Sequence, residues 1–266
     1  MSRYNAVLSI AGSDSGGCAG IQADIKSISA NGAFAATVIT ATTAQNTQGV
    51  TDIHGLPIPH IKAQLDAVLS DMNFGAVKIG MLHSPEVIKV VQETLVDYGM
   101  RNIILDPVMV ATSGDKLISI EAVEALEGFL PQVTLMTPNI PEGELLLGHD
   151  INLSNLEDSA RELGQKYGTS VLLKGGHLEL EDEMTDMLFL KEENRLVTIH
   201  NPSIETQHTH GTGCSLSSSI ATYVCLGFSL EEAVIKSCAY LNQAIAAGKD
   251  KVLGKGHGPI NHFMLD

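Results

Sequence analysis

The sequence predicts an α/β protein built on one mostly parallel sheet. Short runs of branched apolar residues alternate with longer segments whose apolar positions recur every three or four residues. The connections are long enough for helical crossovers, and glycine-rich loops follow several of the runs. Crossovers of this length imply right-handed βαβ units with helices on both faces of the sheet.

The elements follow in order. NAVLSIA at 5–11 is a strand ending in GSDSGGCAG, and IQADIKSISANG then sets Ile21, Ile25 and Ile28 at helical spacing. FAATVITATTAQN reads as a buried strand. IPHIKAQLDAVLSDM is a helix with Ile61, Leu65, Val68 and Leu69 inward, and AVKIGML is the next strand. PEVIKVVQETLVDYG gives a helix, and NIILDP a parallel strand that delivers Asp106 to its carboxyl end. The rhythm repeats through ISIEAVEALEGFL, VTLMTPN, NLSNLEDSARELGQKYG and SVLLKGGH. TDMLFLKEENRLVTIHNP then places two alternating runs around the polar turn KEENR, which predicts a hairpin at the side of the sheet. Two helices close the chain, CSLSSSIATYVCLG and LEEAVIKSCAYLNQAIAAG. The second carries Ala233, Val234, Cys238, Leu241 and Ile245 along an apolar stripe. No repeat, heptad or long linker divides the chain, so residues 1–266 are expected to form one domain.

Composition narrows the function. Lys+Arg 16 against Asp+Glu 31 gives a formal charge of -15, which disfavours a nucleic-acid or acidic-membrane partner and favours a small ligand. An anionic substrate would need a local positive site or Mg²⁺. Cys18, Cys214, Cys225 and Cys238 have no CxxC spacing, the opening apolar run is too short for a secretory segment, and no stretch approaches twenty apolar residues. A reduced, cytoplasmic protein is expected.

A parallel sheet places its chemistry in loops beyond the carboxyl ends of its strands. Those loops hold GSDSGG, TAQN, GML, DPVMVATSG, TPNIPEGE, KGGH and HTHGTGC. Neither GxGxxG nor GxxxxGK[ST] is present, which weakens the standard dinucleotide and Walker readings. HTHGTGCSLSSS offers another anion site: the amides of Gly211, Thr212, Gly213 and Cys214 converge at a helix start. Its structural alternative is a tight loop with Thr212 as local cap. Cys214 itself could be a nucleophile, a metal ligand, a proton acceptor or a small buried side chain. A Cys–His pairing with His208 or His210 would suit acyl transfer, but no orienting acid identifies itself. Zinc spacing is not diagnostic among the cysteines and histidines.

IAGSDSGGCAGIQADIK, TATTAQNT, GML, DPVMVATSG, TPNIPE, LLKGGH, HTHGTGC and GHGPINH, in that order and spanning essentially the whole chain, resemble the bacterial hydroxymethylpyrimidine and phosphomethylpyrimidine kinases of thiamine synthesis. These belong to the ribokinase-like superfamily. The resemblance implies a three-layer α/β/α sandwich with a mostly parallel central sheet. It also implies ATP and Mg²⁺ as cofactors and a homodimer as the assembly. The implied reaction carries the γ-phosphoryl of MgATP to the hydroxymethyl group of 4-amino-5-hydroxymethyl-2-methylpyrimidine, then phosphorylates that monophosphate to the diphosphate.

Carried onto this chain, the resemblance assigns the pyrimidine pocket to Gly12, Asp24, Gln45, Met81 and Val108. Gln45 can donate to and accept from an aminopyrimidine edge, and Met81 and Val108 can supply apolar faces for a flat ring. Met81 would equally suit a core position, and Asp24 an exposed helix face. Asp106 and Glu142 are implied near Mg²⁺, directly or through water, with Asn139 orienting them. Their structural alternatives are a cap over Thr112 and Ser113 for Asp106, and an ordinary first-turn helix acid after Pro141 for Glu142. Lys174 would neutralise phosphate beside Gly175 and Gly176, and Gly248 and Lys249 would border the adenine. Cys214 occupies the place where the wider superfamily often has the aspartate of GTGD. It is thereby implied as proton acceptor, with a helix N-terminus that favours thiolate. Vitamin B6 compounds, also flat rings with a hydroxymethyl group, are the competing substrates.

Overall fold

The computed structural model describes residues 3–109, 119–176 and 183–265. Thr112, Ser113 and the rest of DPVMVATSG beyond Met109, together with His177 of KGGH, lie outside the described residues. The strands are β1 (Ala6–Asp14), β2 (Phe34–Asn46), β3 (Gly49–Gly55), β4 (Ala76–Ile79), β5 (Ile103–Leu105), β6 (Leu135–Met136), β7 (Ser170–Leu173), β8 (Glu183–Leu190) and β9 (Arg195–Pro202). They form one sheet in the order β3-β2-β1-β4-β5-β6-β7-β8-β9. Pairings from β2 through β7 are parallel, while β3, β8 and β9 join antiparallel at the two edges.

The helices are α1 (Gly20–Ala30), α2 (Ile58–Leu69), α3 (Pro85–Asp97), α4 (Ile120–Phe129), α5 (Ile140–Leu147), α6 (Leu156–Tyr167), α7 (Thr212–Cys225) and α8 (Leu230–Gly248). Strand alternation assigns them to two layers. On one face Leu8, Ile10, Val77 and Ile79 meet Ile61 and Leu65 of α2, Val87 and Val91 of α3, and Ala160 and Leu163 of α6. On the other, Val7, Ala76, Ile104 and Leu172 meet Ile28 of α1, Ile220 and Ala221 of α7, and Val234 and Cys238 of α8. The result is the three-layer α/β/α sandwich of the ribokinase-like fold. Among the described residues, no helix is long and apolar enough to cross a membrane.

Local chemistry explains where helices begin. Ser84 caps α3, accepting from the Val87 amide at 3.3 Å with Pro85 at the first helical position. Ser229 and Glu232 form a reciprocal capping box at the start of α8. The hairpin of β8 and β9 forms around KEENR, with Leu190 opposite Arg195.

Three features differ from the sequence reading. Ile25 is exposed rather than inward, because α1 turns Ile21, Asp24 and Ile28 to the core and Ile25 falls between those positions. GVTDIHG forms the edge strand β3, which an apolar run does not announce because most of its residues face solvent. TPNIPEGE is more than a loop, since Ile140–Leu147 forms the helix α5.

The chain runs from β1 to β2 on one side and later returns to β4 on the other. The sheet order therefore reverses between β1 and β4, and a crevice opens beyond their carboxyl ends.

Candidate active site

A cavity of about 680 Å³ occupies that crevice. Its wall takes Gly12 from β1, Gln45 from the end of β2, Met81 after β4, Asp106 and Val108 after β5, Asn139 and Glu142 around the start of α5, and Lys174 after β7. Gly211, Thr212, Gly213 and Cys214 close it from the start of α7.

The first loop is shaped by Asp14. Its Oδ1 accepts from the Gly16 amide at 2.7 Å, and its Oδ2 accepts from the amides of Cys18 and Ala19, both at 2.8 Å. A Cβ at Gly12 would lie 2.7 Å from Met81 Cε, so the missing side chain lets Met81 lie against the β1 backbone. Gln45 accepts from Thr43 Oγ1 at 2.9 Å and donates from Nε2 to His210 Nε2 at 3.0 Å. That bond assigns the His210 proton to Nδ1, which is buried without a partner among the described residues. Burial also lowers the His210 pKa, consistent with a neutral ring.

Around Lys174 and Asp106 the cavity is charged. Lys174 Nζ donates to Asp106 Oδ1 at 3.1 Å, and Thr137 Oγ1 donates to the same oxygen at 3.2 Å. A Cβ at Gly213 would stand 3.3 Å from Asp106 Oδ2 and 3.5 Å from Lys174 Nζ, so the first turn of α7 sits directly over that pair. Gly211 holds the turn with φ at +84°, and any Cβ there would meet the Cys18 carbonyl oxygen at 1.9 Å. The Thr212 amide donates to the Thr209 carbonyl at 3.3 Å, whereas the next amides, of Gly213 and Cys214, lie in the first turn of α7 and can receive anionic oxygen, with Lys174 supplying charge. Asn139 and Glu142 form a capping box at α5: each side chain accepts from the other's amide at 2.9 Å. Burial pushes the Glu142 carboxyl up to about 7, against the opposing pull of Lys174. Asp106 and Glu142 thus offer hard oxygen donors on one wall, a set that fits Mg²⁺ better than softer metals.

Three residues assigned from the resemblance do not reach the cavity. Asp24 is fully buried and absent from the cavity lining, paired at 2.8 Å with Nζ of Lys78, which does line it. Gly248 packs on the C-terminal segment, where a Cβ would meet the Asn261 amide at 2.8 Å. Lys249 is exposed at the end of α8. The part of α8 that lines the cavity lies up to three turns earlier, at Cys238, Leu241, Asn242 and Ile245.

The structure also adds residues that sequence reasoning missed. Lys78 lines the floor of the cavity. Its signal was a lysine in the middle of the apolar run AVKI. Asp186 of β8 accepts from the Gly175 amide and from Asn201 Nδ2, both at 2.9 Å, and Asn242 Nδ2 donates to Asn201 at 3.0 Å. Burial raises Asp186 to about 6. A hairpin read as an edge gave no hint that its acid would face inward.

Burial also changes the picture of Cys214. The residue is half-buried at the cavity wall, but packing around its sulfur pushes the thiol up to about 11, although Lys78 and the Gly20 amide favour the thiolate. The helix terminus alone therefore does not make this a low-pKa thiol. Cys214 pairs with neither His208 nor His210: His210 engages Gln45, and His208 Nδ1 accepts from the Gly258 amide at 3.1 Å. Asp14, Cys18 and His210 do gather ligand atoms within 4.8 Å of one another, but the Asp14 oxygens are committed to the loop amides.

An oxygen-lined, lysine-bearing crevice at the switch point of this sandwich, closed by a glycine-led helix start, defines a ribokinase-like small-molecule kinase. Comparison with known proteins specifies the branch. The phosphomethylpyrimidine kinase family model matches residues 14–261, and the chain belongs to that family. It is 46% identical over 96% of its length to the hydroxymethylpyrimidine/phosphomethylpyrimidine kinase of Rhizobium meliloti, spanning 96% of that protein. It is 45% identical to the thiamine biosynthesis bifunctional protein ThiED of Geobacter sulfurreducens, where 97% of this chain covers 52% of the relative. Among solved structures, phosphomethylpyrimidine kinase from Clostridium difficile is 41% identical, with a TM-score of 0.79 over 90% of this chain and 99% of that one. The ADP complex of Bacillus subtilis pyridoxal kinase superposes at 0.89 over 98% of each chain but is only 27% identical. The higher superposition reports the shared scaffold; the higher identity reports the family.

Proposed function

We propose that this protein is a hydroxymethylpyrimidine and phosphomethylpyrimidine kinase. It transfers the γ-phosphoryl of MgATP to the hydroxymethyl oxygen of 4-amino-5-hydroxymethyl-2-methylpyrimidine, then phosphorylates the monophosphate. The observation that carries this reading is a cavity that combines two unlike kinds of lining. Met81, Val108 and the Gln45 amide in its lining suit a flat aminopyrimidine, and Lys174, Asp106, Glu142 and the α7 amides in the same lining suit phosphate and its metal.

When bound, Mg²⁺ neutralises phosphate charge, with Asp106 and Glu142 as its carboxylates, directly or through retained water. Lys174 releases Asp106 to face the transferring phosphoryl, and the Gly213 and Cys214 amides hold its oxygens. Most of the rate comes from this alignment and charge neutralisation, since phosphoryl transfer needs little covalent chemistry from the protein. Cys214, in its thiolate form, accepts the hydroxyl proton. The Asp186–Asn201–Asn242 chain lies on the α8 side, where the nucleotide would sit.

ADP formation measured on hydroxymethylpyrimidine, its monophosphate and pyridoxal tests the assignment. Turnover of both pyrimidines supports it, and strong pyridoxal turnover without pyrimidine turnover overturns it. A pyridoxal or dual activity is the second reading, favoured by the close superposition on the pyridoxal kinase scaffold. The assembly belonging to this proposal is a homodimer, for which sedimentation at micromolar concentration is the direct measurement.

A further inference from the structure

Lys78 has no part in the transfer described above, yet it is a fully buried cation in the middle of β4. Such a group is costly unless an anion and hydrogen bonds compensate it. Asp24 supplies the anion: Lys78 Nζ donates to its Oδ1 at 2.8 Å and to its Oδ2 at 3.0 Å. Asp24 is itself held from two sides. Ser9 Oγ donates to Oδ2 at 2.6 Å, and Ser218 Oγ donates to Oδ1 at 2.7 Å. Ser9 is the register partner of Lys78 across β1 and β4, so both point to the layer that contains α1 and α7. Ser218 lies one helical turn beyond Cys214, on the same side of α7. The pair is therefore braced by β1 and α7 directly beneath Cys214, and Lys78 and Cys214 share the cavity wall.

We propose that the Lys78–Asp24 pair is the electrostatic anchor of Cys214: the ammonium stabilises the thiolate that accepts the hydroxyl proton, and the carboxylate fixes the ammonium and limits its field. This rests on the reading of Cys214 as proton acceptor. In the step, the thiolate sulfur takes the hydroxymethyl proton and the hydroxymethyl oxygen bonds to the γ-phosphorus. The bond from that phosphorus to the ADP oxygen breaks, and the Cys214 proton returns to solvent after product leaves. The groups that act on the sulfur are Lys78 from β4, Asp24 and the Gly20 amide from α1, Asp106 after β5 and Lys174 after β7. The two lysines and the amide favour thiolate; the two acids and burial oppose it. Lys78 is the largest of the favourable influences on the sulfur. Lys78 is thus a positioning residue, acting through Cys214 rather than on substrate.

The test is the rate of iodoacetamide alkylation of Cys214 in the nucleotide-free full chain at pH 8.5, followed by mass mapping of the Cys214 peptide. Lys78→Met should slow it and Asp24→Asn should accelerate it, each by at least about threefold. The change in thiolate fraction is partly offset by the altered nucleophilicity of the thiolate. Lys78→Arg, which keeps the charge, should stay near the parent rate. Opposite signs are the diagnostic, since a loss of packing would move both variants the same way. Circular dichroism and thermal melting establish that each variant is folded. If Lys78→Met fails to fold alone, the neutral double variant Asp24→Asn/Lys78→Met takes its place and is compared with Asp24→Asn, against which loss of the ammonium should slow alkylation by at least about threefold. A folded Lys78→Met that alkylates at the parent rate, or a double variant that alkylates at the Asp24→Asn rate, overturns the proposal. Cys214→Ala separates the two ideas: undiminished transfer by that variant removes the proton-acceptor role, whereas unshifted alkylation removes the anchor and leaves that role standing.

Discussion

Two lysine–aspartate pairs among the described residues are alike in chemistry and opposite in design. Lys78 and Asp24 are sealed, with side-chain exposures of 0% and 0%, and the carboxylate takes four hydrogen bonds. Lys174 and Asp106 stand open, at 17% and 4%, with a longer 3.1 Å contact. A saturated pair in the core cannot exchange partners without exposing an uncompensated charge, so it acts as a fixed source of field. A pair at the end of its strands can trade its internal bond for phosphate and metal. The lesson is that a lysine's position along the strand, middle or end, separates a permanent charge from an exchangeable one.

Breaking each pair should therefore fail differently. The largest effect falls on the sealed pair's contribution to folding: Lys78→Met is expected to lower stability by about 3 to 5 kcal/mol, as removal of one partner from a buried pair does. Urea unfolding measures it, and the Asp24→Asn/Lys78→Met double variant should recover part of the loss. Lys174→Met should instead leave folding near the parent and reduce kcat/KM by about 10²–10³-fold, the range for losing one preorganised electrostatic group at a transition state. Equal effects of the two lysines on both readouts would erase the distinction. Cys214→Ala should slow single-turnover transfer by about 10²–10⁴-fold while ATP affinity stays within about threefold, given the usual contribution of a positioned base. Cys214→Asp should retain part of the rate.

The smallest effect is a pH dependence at the open end. Burial lifts the Glu142 carboxyl from the ordinary 4.5 to about 7. Its protonated form favours the folded state, so the stability it contributes is full below the unfolded value and lost as pH rises through about 7. Activity runs the other way, because metal needs the carboxylate: kcat/KM for MgATP should fall on the acid side with a midpoint near 7. Glu142→Gln should flatten that limb and make stability less sensitive to pH between 5 and 8. A limb unchanged in that variant would assign it elsewhere, Asp186 at about 6 being the nearest candidate.

Much of this was legible in the sequence because it is written in local chemistry. Continuous apolar runs located the parallel strands and period-3.6 patterns most helices, and strand ends such as LDP and LLKGG delivered Asp106 and Lys174 to one edge. GTGC at a helix start announced an amide-lined turn, and Gly211 does take the left-handed conformation. Local patterns failed where burial is decided at a distance. Asp24 reads as a plausible ligand on α1, but it meets Lys78, 54 residues away, and Ser218, 194 residues away. The same limit hid Asp186, whose partners Gly175 and Asn201 lie on neighbouring segments of the sheet edge.

The sequence by itself determined the layers, the sheet edge that bears the chemistry, and the family, because hydrophobic periodicity and loop motifs are properties of short stretches of chain. Only the tertiary structure decided which charges are sealed and which are exchangeable, and that the Cys214 thiol is raised to about 11 rather than lowered. Desolvation depends on every element packed around a group, and no stretch of sequence carries that information.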